Sequence, residues 1–271
     1  AVHVAMGAWT AVIVLLSGCT GGKVNGDTAQ RPAETSPETV AAQDAGDAAA
    51  RDTMMSVHLA VAEKDGETLA SLSDGVVQPL AERHASSWDT HRPTTDADGH
   101  PIAYFTFDDG PSEYTPQILD VLARHGAHAT FFMVGSGAHE RPDLVQSVRA
   151  HGHTIGNHTW NHPQLTKKDD QRVVSEIDRT DEAVGGSTCV RPPYGATSRR
   201  VNDIIHLGGR STVLWDVDTR DWARPGVSAI RENLRSTMHP GAVILMHDGG
   251  GNRSQSVEAL DAELGELESQ G

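Results

Sequence analysis

The sequence is poor in positive charge and lacks the common nucleotide-binding motifs. It has 22 Lys and Arg against 37 Asp and Glu, which gives a formal net charge of -15 over 271 residues. This balance argues against nucleic acid and against a polybasic membrane patch as partners. No strand-like segment is followed by GxGxxG and the pattern GxxxxGK[ST] does not occur, so nucleotide-binding functions lose their main support.

The chain also lacks an apolar run that would span a bilayer as a stable helix. The run AVIVLLSGC (11–19) is too short for that and ends in small residues, as a signal peptide does. Its end, Leu16-Ser17-Gly18-Cys19, resembles the bacterial lipobox, in which the cysteine becomes the lipidated first residue. We therefore predict a lipoprotein-type signal peptide over 1–19 with lipidation at Cys19. The protein would be anchored to the outer face of the bacterial cytoplasmic membrane; the alternative is an ordinary signal peptide and release from the cell.

Residues 20–53 contain no aromatic side chain and consist largely of Ala, Gly, Pro, Thr and acidic residues. Such a composition cannot bury a core, so we predict a disordered tether. Residues 54–100 read as a poorly defined N-terminal extension. The regular part of the chain is predicted to span 101–271 as one folded domain. We expect the protein to be a monomer.

Strand-like and helix-like segments alternate from Ile102 onward. IAYFTF (102–107) is typical of a strand, TPQILDVLARHG (115–126) of an amphipathic helix, and STVLWDVD (211–218) of one further strand. This alternation predicts βαβ units and a largely parallel sheet. Six strands at this spacing fit either an open doubly wound sheet or a barrel.

Polar residues follow nearly every predicted strand. They are Asp108, Asp109, Asn157, His158, Arg191, Tyr194, Asp216, Asp218, Asp221, Trp222, His247 and Asp248. In parallel α/β folds the carboxyl ends of the strands form the face on which active sites assemble. Several reactive groups at that edge indicate a function more strongly than any one of them does alone.

The stretch HTWNH (158–162) places two imidazoles on one side of a turn, as metal ligation requires. Alone, two histidines at this spacing are more often surface or core residues than metal ligands. The upstream pair Asp108-Asp109 makes metal ligation the favoured interpretation. Two neutral imidazoles and one carboxylate around Zn²⁺ leave positions open for water and substrate, as in a hydrolytic metal site. The cation would neutralise one aspartate, and the other would stay ionised as a base.

Five separated motifs, in order, resemble those of the NodB-homology polysaccharide deacetylases, carbohydrate esterase family 4. They are TFDDG (106–110), HTWNH (158–162), RPPYG (191–195), DTRDW (218–222) and LMH (245–247). The resemblance covers about residues 102–271. It implies a distorted (β/α) barrel with fewer than eight units.

The resemblance also implies roles for the residues of the first three motifs. Asp109, His158 and His162 would hold one divalent metal ion, with Zn²⁺ expected and Co²⁺ as the alternative. Asp108 would be the general base, and Arg191 would pair with it, lower its pKa and fix its orientation.

Tyr194 of the third motif and the residues of the last two motifs supply the other groups. The backbone N–H of Tyr194 would stabilise the oxyanion, and His247 would be the general acid that protonates the leaving amine. Asp221 would hydrogen-bond His247 and favour its imidazolium form. Trp222 and Leu245 would form the walls of the pocket for the acetyl methyl group.

The resemblance thus implies a metal-dependent hydrolase that removes acetyl groups from N-acetylglucosamine units of a cell-wall or chitin-type polysaccharide. Peptidoglycan is the nearest polymer for a lipoprotein, and chitin or chitooligosaccharide is next. An acetylxylan esterase remains an alternative, because amide and ester hydrolysis share the same tetrahedral path. A non-catalytic glycan-binding protein on the same fold is a further alternative, which the complete set of reactive residues argues against.

Overall fold

A computed structural model describes residues 92–269, which contain seven strands and seven α-helices. The strands are β1 (Tyr104–Asp108), β2 (Thr130–Met133), β3 (Thr154–Asn157), β4 (Cys189–Val190), β5 (Ser211–Thr212), β6 (Val217–Asp218) and β7 (Val243–His247). The helices are α1 (Thr115–Arg124), α2 (Gly135–Glu140), α3 (Pro142–Ala150), α4 (Asp170–Val184), α5 (Arg199–Leu207), α6 (Val227–Thr237) and α7 (Ser254–Ser269). The predictions for 1–19, for 20–53 and for Cys19 lie outside the described residues.

All seven strands run parallel in one sheet, in the order β5-β4-β3-β2-β1-β7-β6. Most of the helices alternate with the strands along the chain. The sheet curls around a packed interior, which confirms the predicted distorted (β/α) barrel with fewer than eight units. None of the described helices is both long and apolar enough to cross a bilayer.

The prediction of a single strand over 211–218 is wrong. Its first two residues form β5 and pair with β4, whereas its last two form β6 and pair with β7 at the opposite edge of the sheet. The step from Thr212 to Val217 spans at most about 18 Å when fully extended. The two edges must therefore lie close together, so the twisted sheet curls into a barrel with a gap between β5 and β6.

Side-chain alternation along β1 separates the two layers of the core. Phe105 and Phe107 belong to the large apolar cluster between the sheet and the helices. Tyr104 belongs to a second cluster inside the barrel. Because strand residues alternate between faces, Thr106 and Asp108 point in the same direction as Tyr104. Asp108 is the last residue of the strand, so its carboxylate lies at the carboxyl end of the barrel interior.

Residues 92–100 also pack on the domain, although the predicted domain boundary is at residue 101. The Tyr104 hydroxyl donates a hydrogen bond to the Pro93 carbonyl at 3.0 Å, and Arg92 forms an ion pair with Asp216. Thr95 and Pro101 form an isolated antiparallel bridge. This short segment covers the amino-terminal end of β1, opposite the face that carries the reactive residues.

Helix α2 was not expected, because its sequence GSGAHE has two glycines and no apolar period. Each of the other helices begins and ends within four residues of the bounds that the sequence predicts. Helix α4 shows why, since it has clear start and stop residues. The Asp169 side chain accepts a hydrogen bond from Arg172 N at 2.7 Å, and Gly185 ends the helix in the left-handed region with φ 71°.

Candidate active site

The predicted site residues meet at the carboxyl edge of the sheet. Asp108 ends β1 and His247 ends β7, and the register of these adjacent strands pairs the two residues directly. His158 directly follows β3, and Arg191 directly follows β4. All four side chains are buried, with at most 9 % of each residue exposed. The reactive groups therefore lie in a largely desolvated cavity, where electrostatic interactions are stronger than in water.

The two adjacent aspartates reach the same cavity because the backbone turns sharply between them. Asp109 has φ 72°, in the left-handed region that a non-glycine residue rarely adopts. The loop after β7 packs directly on this turn. A Cβ on Gly249 would lie 2.0 Å from Asp109 O, and one on Gly250 would lie 2.5 Å from Asp109 Oδ2. Only glycines at these two positions allow the loops to approach so closely.

Asp109, His158 and His162 form a cluster that could hold a metal ion, with one ligand atom from each within 4.8 Å of the others. Asp109 Oδ1 lies 3.5 Å from His158 Nε2 and 3.3 Å from His162 Nε2. Ligand atoms in tetrahedral Zn²⁺ sites are about 3.3 Å apart, given bonds of about 2.0–2.1 Å. The spacing and the donor set therefore fit a divalent metal ion.

Both histidines present a nitrogen lone pair to this cluster. His158 Nδ1 lies 2.7 Å from the Arg191 carbonyl oxygen, which can only accept, so Nδ1 carries the proton and Nε2 is free to bind a cation. Burial, and then the neighbouring His158, lower the pKa of His162. A neutral imidazole, the form that binds metals, is thereby favoured at His162.

Arg191 is fully buried and holds Asp108. Its Nη1 donates hydrogen bonds to Asp108 Oδ1 and Thr106 Oγ1, both at 2.7 Å. Its Nε and Nη2 donate to the carbonyl oxygens of Val213 and Leu214, at 3.2 and 3.0 Å. Burial lowers the pKa of Arg191, while the Asp108 carboxylate counteracts this. The predicted contact between Arg191 and Asp108 is present, and it fixes the orientation of the carboxylate.

His247 and Asp221 form the second reactive pair. His247 Nδ1 lies 2.8 Å from Asp221 Oδ1, and the His247 backbone N–H donates to Asp221 Oδ2 at 2.9 Å. Burial alone would lower the pKa of His247, but the hydrogen bond to Asp221 and its charge raise it above the ordinary value. The Nδ1 contact leaves Nε2 as the nitrogen that can exchange a proton with a bound molecule.

The three predicted substrate-contact residues differ in exposure. Tyr194 is 69 % exposed and Trp222 is 48 % exposed, whereas Leu245 is 4 % exposed within β7. Tyr194 has φ 62°, and no described residue accepts a hydrogen bond from its backbone N–H. Its ring packs against His162, with ring centroids 4.7 Å apart. The Tyr194 ring therefore lies beside the cluster, and its backbone N–H is available to an added ligand.

Sequence reasoning missed several residues that support the site. Ser256 on α7 donates a hydrogen bond to Asp221 Oδ2 at 2.6 Å, and Thr106 accepts one from Arg191. Glu176 on α4 accepts one from the backbone N–H of Asn161 at 2.8 Å. Only the inward direction of Thr106 follows from a sequence pattern, because it alternates with Phe105 and Phe107. Ser256 and Glu176 lie on helices. The apolar pattern of a helix indicates which residues are buried, but not which distant group a buried polar residue contacts.

Comparisons with known proteins agree with this geometry. Residues 95–212 match the family model described as polysaccharide deacetylase. The chain is 39% identical over 190 residues to a chitooligosaccharide deacetylase of Sinorhizobium fredii, covering 64% of this chain and 88% of that protein. It is 41% identical over 177 residues to a peptidoglycan-N-acetylglucosamine deacetylase of Bacillus cereus, covering 63% of this chain and 83% of that protein. A solved family 4 carbohydrate esterase from Streptomyces lividans, in complex with acetate, has a TM-score of 0.58 and 34% identity, covering 62% of this chain and 88% of that one.

Proposed function

The chain belongs to the polysaccharide deacetylase family, carbohydrate esterase family 4, and from this premise we propose that it is a metal-dependent deacetylase of N-acetylglucosamine units in a cell-wall or chitin-type polysaccharide. The observation that supports this most is the cluster of Asp109, His158 and His162 beside a buried carboxylate and a buried imidazole. The similar proteins act on chitooligosaccharide and on peptidoglycan, by their names.

Asp109, His158 and His162 would hold one divalent cation, Zn²⁺ by preference and Co²⁺ as the alternative. Two nitrogen ligands and one oxygen ligand suit either ion. When bound, the ion supplies Lewis-acid polarisation of the acetyl carbonyl and lowers the pKa of a water molecule. The ring of His158 is fixed for this by its Nδ1 contact with the Arg191 carbonyl.

Asp108 acts as the general base. Its Oδ1 is held by Arg191 at 2.7 Å, and its Oδ2 lies 3.7 Å from His158 Nε2, on the side of the metal ligands. The guanidinium orients this carboxylate, which takes a proton from the attacking water. The oxygen of that water forms a bond with the acetyl carbonyl carbon, and the Tyr194 N–H donates to the carbonyl oxygen as negative charge develops there.

His247 acts as the general acid. Asp221 stabilises the imidazolium, and the proton moves from Nε2 to the sugar nitrogen as the carbon–nitrogen bond breaks. The products are acetate and a free amine on the sugar. Amines leave far more readily when protonated, so a buried imidazolium favours amide over ester hydrolysis. Trp222 and Leu245 would enclose the methyl group of the acetyl substituent.

We also propose that the protein acts outside the cytoplasm, anchored through a lipid on Cys19 and as a monomer. The motif Leu16-Ser17-Gly18-Cys19 supports the anchor. Labelled fatty acid should be incorporated by the wild-type chain in a bacterial host and not by Cys19→Ser, which should move from the membrane to the soluble fraction. A wild-type chain that is released without label would instead have an ordinary signal peptide.

Acetate release tests the proposed activity. The purified protein is stripped with a chelator, reloaded with Zn²⁺ or Co²⁺, and offered chitooligosaccharide, peptidoglycan and acetylxylan in parallel. We expect release that depends on added metal and that is fastest on an N-acetylated substrate. Preference for acetylxylan would make the protein an esterase. No release from any substrate, by a folded protein with metal bound, would favour the glycan-binding alternative.

Two substitutions separate metal binding from base catalysis. Asp109→Ala removes a ligand, so we expect it to lose both bound metal and activity. Asp108→Asn keeps the three ligands, so we expect metal content near one ion per chain and a fall in kcat of about 10²–10⁴-fold. Asp108→Asn with unchanged turnover would contradict the role of Asp108.

A further inference from the structure

The segment between the two histidine ligands, His158–His162, has an unusual backbone. Thr159 has φ 67° and His162 has φ 54°, so two non-glycine residues of five adopt the left-handed conformation. Such residues persist only where the surrounding structure holds them in place. The Thr159 carbonyl accepts a hydrogen bond from Gly135 N at 2.9 Å, and Trp160 O accepts one from Ser136 N at 3.0 Å. These contacts hold the first half of the segment.

The two histidines differ in how their rings are held. His158 Nδ1 contacts the Arg191 carbonyl oxygen at 2.7 Å, which sets its orientation directly. The ring of His162 has Asp109 Oδ1, 3.3 Å from Nε2, as its one polar partner among residues 92–269. Otherwise it packs against the rings of Tyr194 and His158, at centroid distances of 4.7 and 4.9 Å. Metal-binding histidines almost always have a second hydrogen bond that orients them. The position of His162 must therefore be set through its backbone.

Glu176 supplies that backbone contact. It lies on α4 and is 1 % exposed, and its Oε2 accepts a hydrogen bond from the N–H of Asn161, the residue before His162, at 2.8 Å. Its Oε1 lies 2.6 Å from Arg172 Nη2. A buried carboxylate is unfavourable unless it is paired and hydrogen-bonded, so its presence here calls for a specific purpose.

Docking of α4 does not supply that purpose. The helix is already joined to the end of β3 by Asn157 Nδ2, which donates to Ile177 O at 2.8 Å and to Asp181 Oδ1 at 2.6 Å. Its buried face also carries Val173 and Ile177 in an apolar cluster. An apolar side chain at position 176 would pack there without the cost of burying a charge.

We propose that Glu176 is a positioning residue for the metal site, which holds His162 in place through the Asn161 N–H. The proposal rests on the proposed metal site and extends it to α4. Removing the acceptor leaves the left-handed turn at His162 without its anchor, so the third ligand is no longer pre-organised. Loss of such outer contacts typically weakens metal affinity by about 10–100-fold.

Metal affinity of the full chain, without substrate, tests this. Zn²⁺ and Co²⁺ dissociation constants are measured by competition with a chelating dye, and the visible absorption of bound Co²⁺ reports its coordination geometry. Glu176→Met keeps the length of the side chain and removes the acceptor, and we expect about 10–100-fold weaker binding and an altered Co²⁺ spectrum. Glu176→Gln keeps an acceptor oxygen, and we expect affinity within about 3-fold of wild type. Turnover of Glu176→Met should recover at saturating metal.

A control variant separates charge and general stability from this effect. Asp178→Asn removes one carboxylate from the same helix and breaks an exposed pair with Arg210, but it touches no part of the segment 158–162. We expect wild-type metal affinity. If Glu176→Met does not fold, Glu176→Asp replaces it, because a side chain one methylene shorter cannot reach the Asn161 N–H.

Three results would overturn the proposal or its premise. Wild-type affinity and spectrum in Glu176→Met or Glu176→Asp, even with a lowered Tm, would assign Glu176 a purely structural role. An equal loss in Glu176→Gln and Glu176→Met would assign the effect to the charge and not to the hydrogen bond. A wild-type protein that binds no divalent cation would contradict the proposed metal site itself, and this outcome is distinct from a selective loss in the variants.

Discussion

His247 and Asp221 shift each other's protonation equilibrium in opposite directions. Burial would raise the pKa of Asp221, but the hydrogen bonds from His247 and Ser256 hold it below its ordinary value. The pKa of His247 is raised by the same contact, against the effect of its own burial. The imidazolium is therefore present below a pKa higher than that of a free histidine, and it is lost as the pH rises through that value.

Asp221→Asn should expose this coupling. Without the carboxylate, the pKa of His247 falls, so the basic limb of the kcat/KM profile should move to lower pH, and kcat should fall at least about 10-fold. Ser256→Ala is the milder control, since it removes one neutral hydrogen bond from Asp221 and should shift the limb less. A basic limb that stays in place in Asp221→Asn would exclude His247 as the group that titrates there.

Asp248 is a second ionisable residue with a shifted equilibrium. It is fully buried, its Oδ2 accepts a hydrogen bond from Thr115 Oγ1 at 2.6 Å, and its Oδ1 has no hydrogen-bond partner within residues 92–269. Burial raises the pKa of Asp248 to about 7. The neutral acid is thus favoured in the folded protein below about pH 7. The carboxyl group packs against Gly110, where a Cβ would lie 2.3 Å from Asp248 Oδ2.

Asp248→Asn should change how stability depends on pH in the metal-free protein. A raised carboxyl pKa stabilises the fold below the unfolded value of about 3.9, and this stabilisation is lost as the pH rises towards 7. Asparagine does not titrate, so the difference in the free energy of unfolding should move in favour of the variant by roughly 2–4 kcal/mol between pH 4 and 8. Urea titrations of both proteins measure it. A difference that is constant with pH would mean that Asp248 is ionised throughout.

Sequence reasoning identified the residues that end strands but not those that support them. Asp108, His158, Arg191 and His247 could be found because a polar residue directly after a buried strand is unusual, and because five motifs resemble a known family. Glu176 and Ser256 could not, since a polar residue on the buried side of a helix does not reveal which distant group it contacts. Those partners follow only from the packing of α4 and α7.

At the level of elements, helices α6 and α7 are joined by a buried carboxylate. Glu263 on α7 is 2 % exposed and accepts hydrogen bonds from Arg231 Nε at 3.1 Å and from Arg235 Nε at 2.9 Å. The arginine side chains are 25% and 34% exposed. The burial of this three-residue ion cluster is therefore asymmetric, because only the Glu263 carboxylate is shielded from water.

This asymmetry predicts that removing the two arginines lowers the free energy of unfolding more than removing the carboxylate does. Glu263→Ala leaves two arginines that can still reach water, so we expect a loss of about 2 kcal/mol. The double variant Arg231→Met/Arg235→Met leaves a buried, uncompensated carboxylate, and we expect a loss of about 3–5 kcal/mol. Urea unfolding of the two proteins gives the comparison, with Glu266→Gln as a more exposed control. Equal losses would show that the carboxylate is effectively solvated.

The period of the apolar residues predicted the bounds of the long helices but not those of the two-residue strands. Helices such as α1 and α4 have an apolar face, a start residue and a stop residue, so their bounds follow from the sequence. Strands β5 and β6 have two residues each, within the strand-like segment STVLWDVD. Nothing local distinguishes a continuous strand from two short ones at opposite edges of a sheet, because that division depends on how far the whole sheet curls.

On the scale of the whole molecule, Arg191 occupies the gap in the barrel. Its Nε and Nη2 donate hydrogen bonds to the carbonyl oxygens of Val213 and Leu214, which lie between β5 and β6, while Nη1 donates one to Asp108 on the interior strand β1. Its guanidinium also stacks on Phe132, 4.1 Å from the ring centroid. One side chain thus holds the Asp108 carboxylate and also binds the segment between β5 and β6.

Arg191→Lys should therefore reduce both activity and stability. A lysine cannot replace the planar set of donors, so buried carbonyl oxygens lose their partners. We expect a fall in kcat of more than about 100-fold and a loss of about 3 kcal/mol in the free energy of unfolding. Asp108→Asn is the matched control, with a similar loss of activity and a smaller loss of stability. Unchanged stability in Arg191→Lys would show that the gap does not depend on this residue.

The strand order also has a consequence for the path of folding. The proposed metal ligands follow β1 and β3, which are joined by short steps along the chain, whereas His247, the proposed acid, ends β7, which pairs with β1 across roughly 140 residues. Contacts of such high sequence separation form late and slowly, because loop-closure entropy opposes them. The half of the site that contains the three proposed ligands can therefore assemble before the half that contains His247, so an incompletely folded chain can hold these ligands together before the proposed acid is in place.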